Sequence, residues 1–300
     1  MPPLPRHSAS ETRARDVCLP WRLSRRGVLQ GLCLPDRYLS QPFLADGIAL
    51  AARDGAVHTV RRRTQLGAHP SLLGSVFHPS RSGSTLLCAL IDAARGDDGL
   101  TVREPRWAAS DIGSMATYQL ALASLLTRPH WVKWSSDMLL DDSCGLVMSR
   151  SPRTVFLIRT PADVVASNVR RWPTWVCRSL VGRTQVRNPD RTIRSIVASQ
   201  IKTYFDRLLV LRETCPGVLV LRYESLCEYP VESVEAVLGS PVRRGLRARV
   251  MDAARLDSKR PRVAWSPRLV PATAPDERAP CPDLIHATRS YSTLARHAIS

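Results

Sequence analysis

From residue 74 onward, short apolar runs alternate with stretches of helical spacing. Ser75–Phe77 is an apolar run that ends at His78-Pro79, and Leu100–Val102 is one that ends at Arg103-Glu104-Pro105. Trp131–Trp134, Thr154–Ile158 and Gly217–Leu221 are similarly short and hydrophobic, so all five read as strands. Between them the period changes. A helix is expected from about Ser84, and another over Ala108–Thr127, where Ile112, Met115, Leu120, Ala123 and Leu126 share a stripe that must stop before Pro129. Pro161 suits the first turn of a helix that continues through Ala162–Val169. The longest helix is predicted at Arg191–Glu213, with Ile193, Val197, Ile201, Phe205 and Leu208 on one face. Segments 231–238 and 241–256 also read as helical, and a Pro/Arg-rich tail follows from 258. Strands separated by helices predict an α/β fold, a parallel β-sheet flanked by helices. Ligands of such sheets sit at the carboxyl ends of the strands.

Residues 1–70 lack this pattern. The polar opening MPPLPRHSASETRAR is expected to be disordered, 38–52 to add a helix or an edge strand, and Arg61-Arg62-Arg63 to form a solvated face. The chain therefore divides into an N-terminal extension (1–70), an α/β domain (71–260) and a C-terminal tail (261–300) that packs on or near it.

Composition narrows this picture. Apolar residues make up 44% of the 300, a globular proportion. Lys and Arg outnumber Asp and Glu by 43 to 26, and all but Lys133, Lys202 and Lys259 of the basic residues are Arg. That balance permits an anionic partner, but the Arg residues are scattered and no basic tract carries interleaved aromatics, so nucleic acid is disfavoured. None of the eight Cys forms a C-x-x-C pair; a reduced, cytoplasmic setting is the simplest expectation. No signal sequence and no membrane-spanning apolar run is legible.

The chemistry concentrates in His78-Pro79-Ser80-Arg81-Ser82-Gly83-Ser84-Thr85, between a strand and a helix. Small side chains and Gly83 let backbone N–H groups converge on an anion at the positive end of that helix. The Ser84 and Thr85 hydroxyls add donors, and Arg81 adds a forked cation. The nucleotide-triphosphate pattern G-x-x-x-x-G-K-S/T is absent: Ser84 stands in place of its Lys and His78 in place of its first Gly.

This loop, Pro-Ser-Arg-Ser-Gly-Ser-Thr, resembles that of the sulfotransferases that use 3′-phosphoadenosine 5′-phosphosulfate (PAPS), particularly their Arg-containing bacterial and membrane-type branches. The segment FLIRTPADVVASNVRR resembles the family's second signature, with Arg159, Pro161 and Ser167 at matching spacing. LVLRYESL, residues 219–226, is similar to its late strand. Together these stretches cover about residues 74–226.

The resemblance implies a P-loop-like fold and PAPS as donor, with no metal. Arg81, Ser82, Gly83, Ser84 and Thr85 would bind its 5′-phosphate, Arg159 and Ser167 its 3′-phosphate, and Tyr223 would lie near the adenine. Ser135 stands where cytosolic members carry a catalytic His, so Glu104 is the candidate base, with Arg81 and Lys133 stabilising charge on the transferred and leaving groups. His78 and His130 are weaker candidates. Asp97-Asp98 and Asp141-Asp142 read as loop acids. A small-molecule, glycan or peptide acceptor would meet the loop at 171–190, which carries Trp172 and Trp175. The rivals are a small-molecule kinase on the same sheet, which would need magnesium ligands and a Lys beside Ser84, and a non-catalytic Arg-rich nucleic-acid-binding protein.

Overall fold

The computed structural model describes residues 16–23, 28–41, 44–63, 72–98, 100–105, 115–126, 128–170, 189–215, 217–257, 260–264 and 281–299. In chain order, β1 (Asp16–Leu23), β2 (Val28–Pro35) and β3 (His58–Arg63) form a small antiparallel sheet, with α1 (Leu44–Arg53) between the last two. The alternating region follows as β4 (Leu72–Phe77), α2 (Ser84–Arg95), β5 (Thr101–Arg103), α3 (Met115–Leu125), β6 (His130–Lys133), α4 (Cys144–Arg150), β7 (Thr154–Ile158) and α5 (Pro161–Arg170). Next come α6 (Pro189–Thr214), β8 (Leu219–Arg222), α7 (Tyr223–Glu228), α8 (Pro230–Leu238) and α9 (Arg244–Arg255). A two-stranded ribbon, β9 (Leu256–Asp257) and β10 (Arg260–Ala264), precedes α10 (Pro282–Ala295) and β11 (Ala298–Ile299).

The main sheet has six strands in the order β11-β8-β7-β4-β6-β5, and each neighbouring pair is parallel. The α/β architecture predicted from the pattern is the one found. Alternation along the strands serves two cores. Phe77, Val102, Val132, Phe156, Ile158 and Val220 face one side, packed with Leu122 of α3 and Ile193, Val197 and Phe205 of α6. Val76, Trp131, Val155, Leu157 and Leu221 face the other, packed with Leu87, Leu90 and Ile91 of α2 and with Val234 and Val250 of α8 and α9. Burial on both faces is what makes these runs nearly continuous in apolar residues.

The N-terminal half-unit holds more structure than its pattern suggested. Leu29, Leu34 and Val60 of the small sheet belong to the same buried cluster as α3 and α6. Cys18 and Cys33 stand opposite each other in the β1–β2 register and are joined by a disulfide. The expectation of wholly reduced cysteines is thus corrected for this pair. Directly opposed side chains on one face of an antiparallel pair come within bonding reach, and no sequence spacing reveals that register.

At the other end, α10 lies on α6, where Asp206 accepts from Ser290 Oγ at 2.9 Å and meets His286 Nε2 at 2.9 Å and Lys202 Nζ at 3.1 Å. Its buried Ala287, Tyr291 and Leu294 have the spacing of a helix face, and Pro282 sits in its first turn. No helix among the described residues is long and apolar enough to cross a membrane.

Candidate active site

Strand order builds the site. The chain leaves β4 through α2 to the edge strand β5, returns to β6 beside β4, and then crosses to β7 on the other side. The carboxyl end of β4 is therefore a point where successive connections diverge, which is where ligands of open α/β sheets bind. The turn 78–83 leaves β4 at this point.

That turn is held by its own residues. Ser82 is fully buried and its hydroxyl donates to the Pro79 carbonyl at 2.8 Å. Arg81 takes φ 65° and Gly83 φ 92°. Gly83 precedes α2 without offering a side-chain cap, and the first turn of α2 carries no acid. A helix start with neither device keeps its N–H groups available to an anion. Gly83 is also required by space: a Cβ there would stand 2.3 Å from the Tyr223 ring.

Tyr223 begins α7, directly after β8, rather than ending a strand as its sequence neighbourhood suggested. Its half-buried ring carries the Arg159 guanidinium at 4.4 Å from the ring centre. Arg159 Nη1 also donates to the Arg81 carbonyl at 3.4 Å, and its Nε lies 3.8 Å from Asp163. Two loops distant in sequence, at 81 and 159, are thus neighbours on one end of the sheet. Ser167 lies one helical turn beyond Asp163 on α5 and is half-buried; among the described residues no hydrogen bond joins it to Arg159.

On the opposite flank, β6 lies between β4 and β5, so Lys133 at its end stands between the turn and Glu104. Lys133 is fully buried; its Nζ pairs with Glu104 Oε1 at 2.7 Å and donates to Thr85 Oγ1 at 3.3 Å. Glu104 adopts φ 53° just past β5, a left-handed conformation that L-residues rarely take, and its N–H donates to the Lys133 carbonyl at 2.7 Å. Arg103 anchors this corner: it pairs with Asp92 of α2 at 2.7 Å, and Thr101 donates to the same carboxylate at 2.6 Å. Ser84 and Thr85 are both buried at the start of α2.

His78, a weaker candidate in the sequence, lies beside the pair of Lys133 and Glu104. Buried at the end of β4, it points its Nε2 at Glu104 Oε1, 3.9 Å away, and its Nδ1 lies 2.9 Å from the Pro79 carbonyl. Burial, and then the Lys133 charge, hold it down to about 4, against the opposing pull of Glu104. It is therefore neutral near pH 7. The clue in the sequence was its place immediately after a buried strand, but only the adjacency of β4, β6 and β5 puts a carboxylate beside it.

His130 sits at the other end of β6, with Nδ1 3.0 Å from the Arg128 carbonyl, remote from the turn along the strand. Asp97 and Asp98 lie in a short exposed turn after α2, while Asp141 caps the approach to α4 by accepting from the Ser143 N–H at 2.8 Å. Cys88 is a buried member of α2, its thiol pushed up to about 12 by burial. Among the described residues no three His, Cys, Asp or Glu side chains gather as a metal would need. Trp172, Trp175 and most of the 171–190 loop lie outside the described residues.

Neither a protein-family model nor a curated protein matches the chain. In structure it is similar to a sulfotransferase domain from the curacin biosynthetic pathway, with a TM-score of 0.48 and 15% identity over 76% of this chain and 99% of that one. It is also similar to a sulfotransferase from Alicyclobacillus acidocaldarius, with a TM-score of 0.38 and 14% identity over 62% of this chain and 91% of that one.

Proposed function

We propose that this chain is a sulfotransferase that moves a sulfuryl group from PAPS to a hydroxyl or amine. The observation that carries the reading is the meeting of the turn at 81 and the guanidinium at 159 at one sheet end. The Arg159 guanidinium rests on the Arg81 carbonyl and over Tyr223, beside a helix N-terminus lacking cap and acid. A donor with phosphates at both ends of one adenosine needs two anion-binding elements on the same side of the sheet. On this reading the first turn of α2, with Ser82, Gly83, Ser84, Thr85 and Arg81, takes the 5′-phosphate. Arg159 and Ser167 take the 3′-phosphate, and Tyr223 lies by the base. What supports the fit is that Gly83 lets the Tyr223 ring pack against the turn, and that Ser84 and Thr85 both start a helix without a side-chain cap or a first-turn acid.

The donor supplies an activated sulfuryl group whose leaving group is a phosphate. What the chain supplies is position and charge. Glu104, with its side chain 23% exposed, pairs with Lys133, and on this reading it accepts the proton of the acceptor. Lys133 lies between Glu104 and Thr85, and on this reading it would stabilise charge on the transferred group.

Titration calorimetry with adenosine 3′,5′-bisphosphate tests this. Wild type should bind. Arg81→Ala and Arg159→Ala should each lose about 1.5–3 kcal/mol, the scale of a hydrogen bond to a charged group. Absence of binding to the wild-type chain, without or with magnesium, would end the reading.

A further inference from the structure

His78 has no part in the scheme above, yet its surroundings give it one. A carbonyl oxygen can only accept, so the nitrogen 2.9 Å from the Pro79 carbonyl, Nδ1, must carry the ring's proton. Nε2 then presents a lone pair. It is buried, it has no hydrogen-bond partner among the described residues, and it faces Glu104 Oε1 at 3.9 Å, just outside hydrogen-bond reach. Two acceptors aimed at each other across a small gap make an arrangement that a single added proton would close into a hydrogen bond.

We propose that His78 is the proton store behind Glu104: the proton that Glu104 takes from the acceptor passes on to His78 Nε2. This rests on the sulfotransferase reading and extends it. In the transfer, the acceptor's O–H (or N–H) bond breaks and an O–H bond forms on Glu104. The acceptor bonds to sulfur while the sulfur–oxygen bond to the phosphate breaks, and the phosphate leaves with the electron pair. The Glu104 O–H then gives way to an Nε2–H bond on His78, restoring the carboxylate beside Lys133. After products leave, the proton returns through Glu104 to water.

The groups around the ring set a balance. Burial, and then Lys133 from the end of β6, oppose a charged imidazole, while Glu104 from the end of β5 and the backbones of Pro79 and Trp134 favour it. α2 contributes Thr85, bonded to Lys133, and the buried Cys88 thiol, which shares Lys133 and Glu104 as electrostatic neighbours. The balance keeps His78 neutral at rest and ready to accept. His78 touches no substrate and acts only through Glu104.

The test is nitrogen NMR of the 15N-histidine-labelled full chain. At pH 7 His78 should be the Nδ1–H tautomer with a bare Nε2. Its titration should move to lower pH in Glu104→Gln and to higher pH in Lys133→Met. A proton resident on Nε2 at pH 7 in the wild type would overturn the proposal without any variant, as would a titration indifferent to both substitutions. A kinetic arm uses His78→Asn, which keeps a donor for Pro79 and removes Nε2. Release of adenosine 3′,5′-bisphosphate from PAPS, with water as acceptor, should fall on the order of 10-fold or more and lose its pH dependence in the acid limb, while bisphosphate affinity holds. Full release by His78→Asn would overturn the store. The two readings fail separately: a wild-type chain that does not bind the bisphosphate ends the sulfotransferase assignment, whereas the NMR result alone judges the coupling of His78 to Glu104.

Discussion

The pair at the heart of the site is unequal, and its inequality is measurable. Lys133 is 0% exposed, while the Glu104 carboxyl is 23% exposed. Removing the Glu104 carboxylate takes a charge partner from a buried ammonium that keeps Thr85 in hydrogen-bond range; removing the Lys133 ammonium leaves a carboxylate that can turn to water. Glu104→Gln should therefore cost about 3 kcal/mol of folding stability, the low end for breaking a buried pair. Lys133→Met, which fills the same volume with an apolar chain, should cost well under that. Urea unfolding of the two variants decides it; equal costs would mean that the ammonium is solvated. The left-handed backbone of Glu104 adds a second expense, on the order of 1 kcal/mol. Its neighbours hold it there: the Glu104 N–H bonds to the Lys133 carbonyl, and Arg103 is tied to Asp92. A chain selected for stability alone would place glycine at 104, but glycine has no carboxylate.

At the scale of elements, the turn between β4 and α2 depends on one absent side chain. Gly83 has φ 92°, and a Cβ would stand 2.3 Å from the Tyr223 ring. Gly83→Ala should destabilise the fold by about 2 kcal/mol from backbone strain, and it must displace Tyr223 and with it the Arg159 guanidinium stacked on that ring. Bisphosphate affinity should fall together with stability in this variant, measured by calorimetry and urea unfolding. Stability lost with affinity intact would detach Tyr223 from the anion site. The turn itself was legible in the sequence because glycine, hydroxyls and a strand-to-helix change of period coincide there. So were β4–β8 and α5, α6, α8 and α9, all with strong local patterns. What local pattern cannot carry is adjacency. That β6 inserts between β4 and β5 follows from the order of the sheet, so the joining of Thr85, Lys133 and Glu104, and the place of His78 beside them, was visible only as separate residues. The small sheet β1-β2-β3 was missed for a related reason: it packs against α3, far along the chain, and α10 hid behind a Pro/Arg-rich stretch.

Across the whole molecule, two buried histidines tie folding to pH. His78 lies at the carboxyl end of the parallel sheet and His130 at the amino end of β6, and burial holds each down to about 4 from an ordinary 6.5. Unfolding exposes both. Between pH 6.5 and 4 the unfolded chain therefore binds protons that the folded chain refuses, so stability is fully present above about 6.5 and drains away as pH falls towards 4. Each histidine contributes a slope of roughly 1.4 kcal/mol per pH unit where its two states differ fully. Two such slopes consume a large part of the roughly 5–15 kcal/mol that holds an ordinary domain together. The excess of basic residues, 43 against 26 acidic, adds self-repulsion as the carboxylates are neutralised. Asp206, lowered chiefly against burial by its bonds to His286, Ser290 and Lys202, acts below this window, its share being lost only under 3.8. Urea unfolding at pH 7.5, 6.0 and 5.0 should show a steep decline that begins near 6.5. His130→Asn should flatten part of it while leaving the bisphosphate site untouched, because His130 stands at the far end of the strand whose other end carries Lys133. A stability that stays level from pH 7.5 to 5.0 would mean that the histidines are charged in the fold, and His78 would then have no room for the proton that Glu104 hands on.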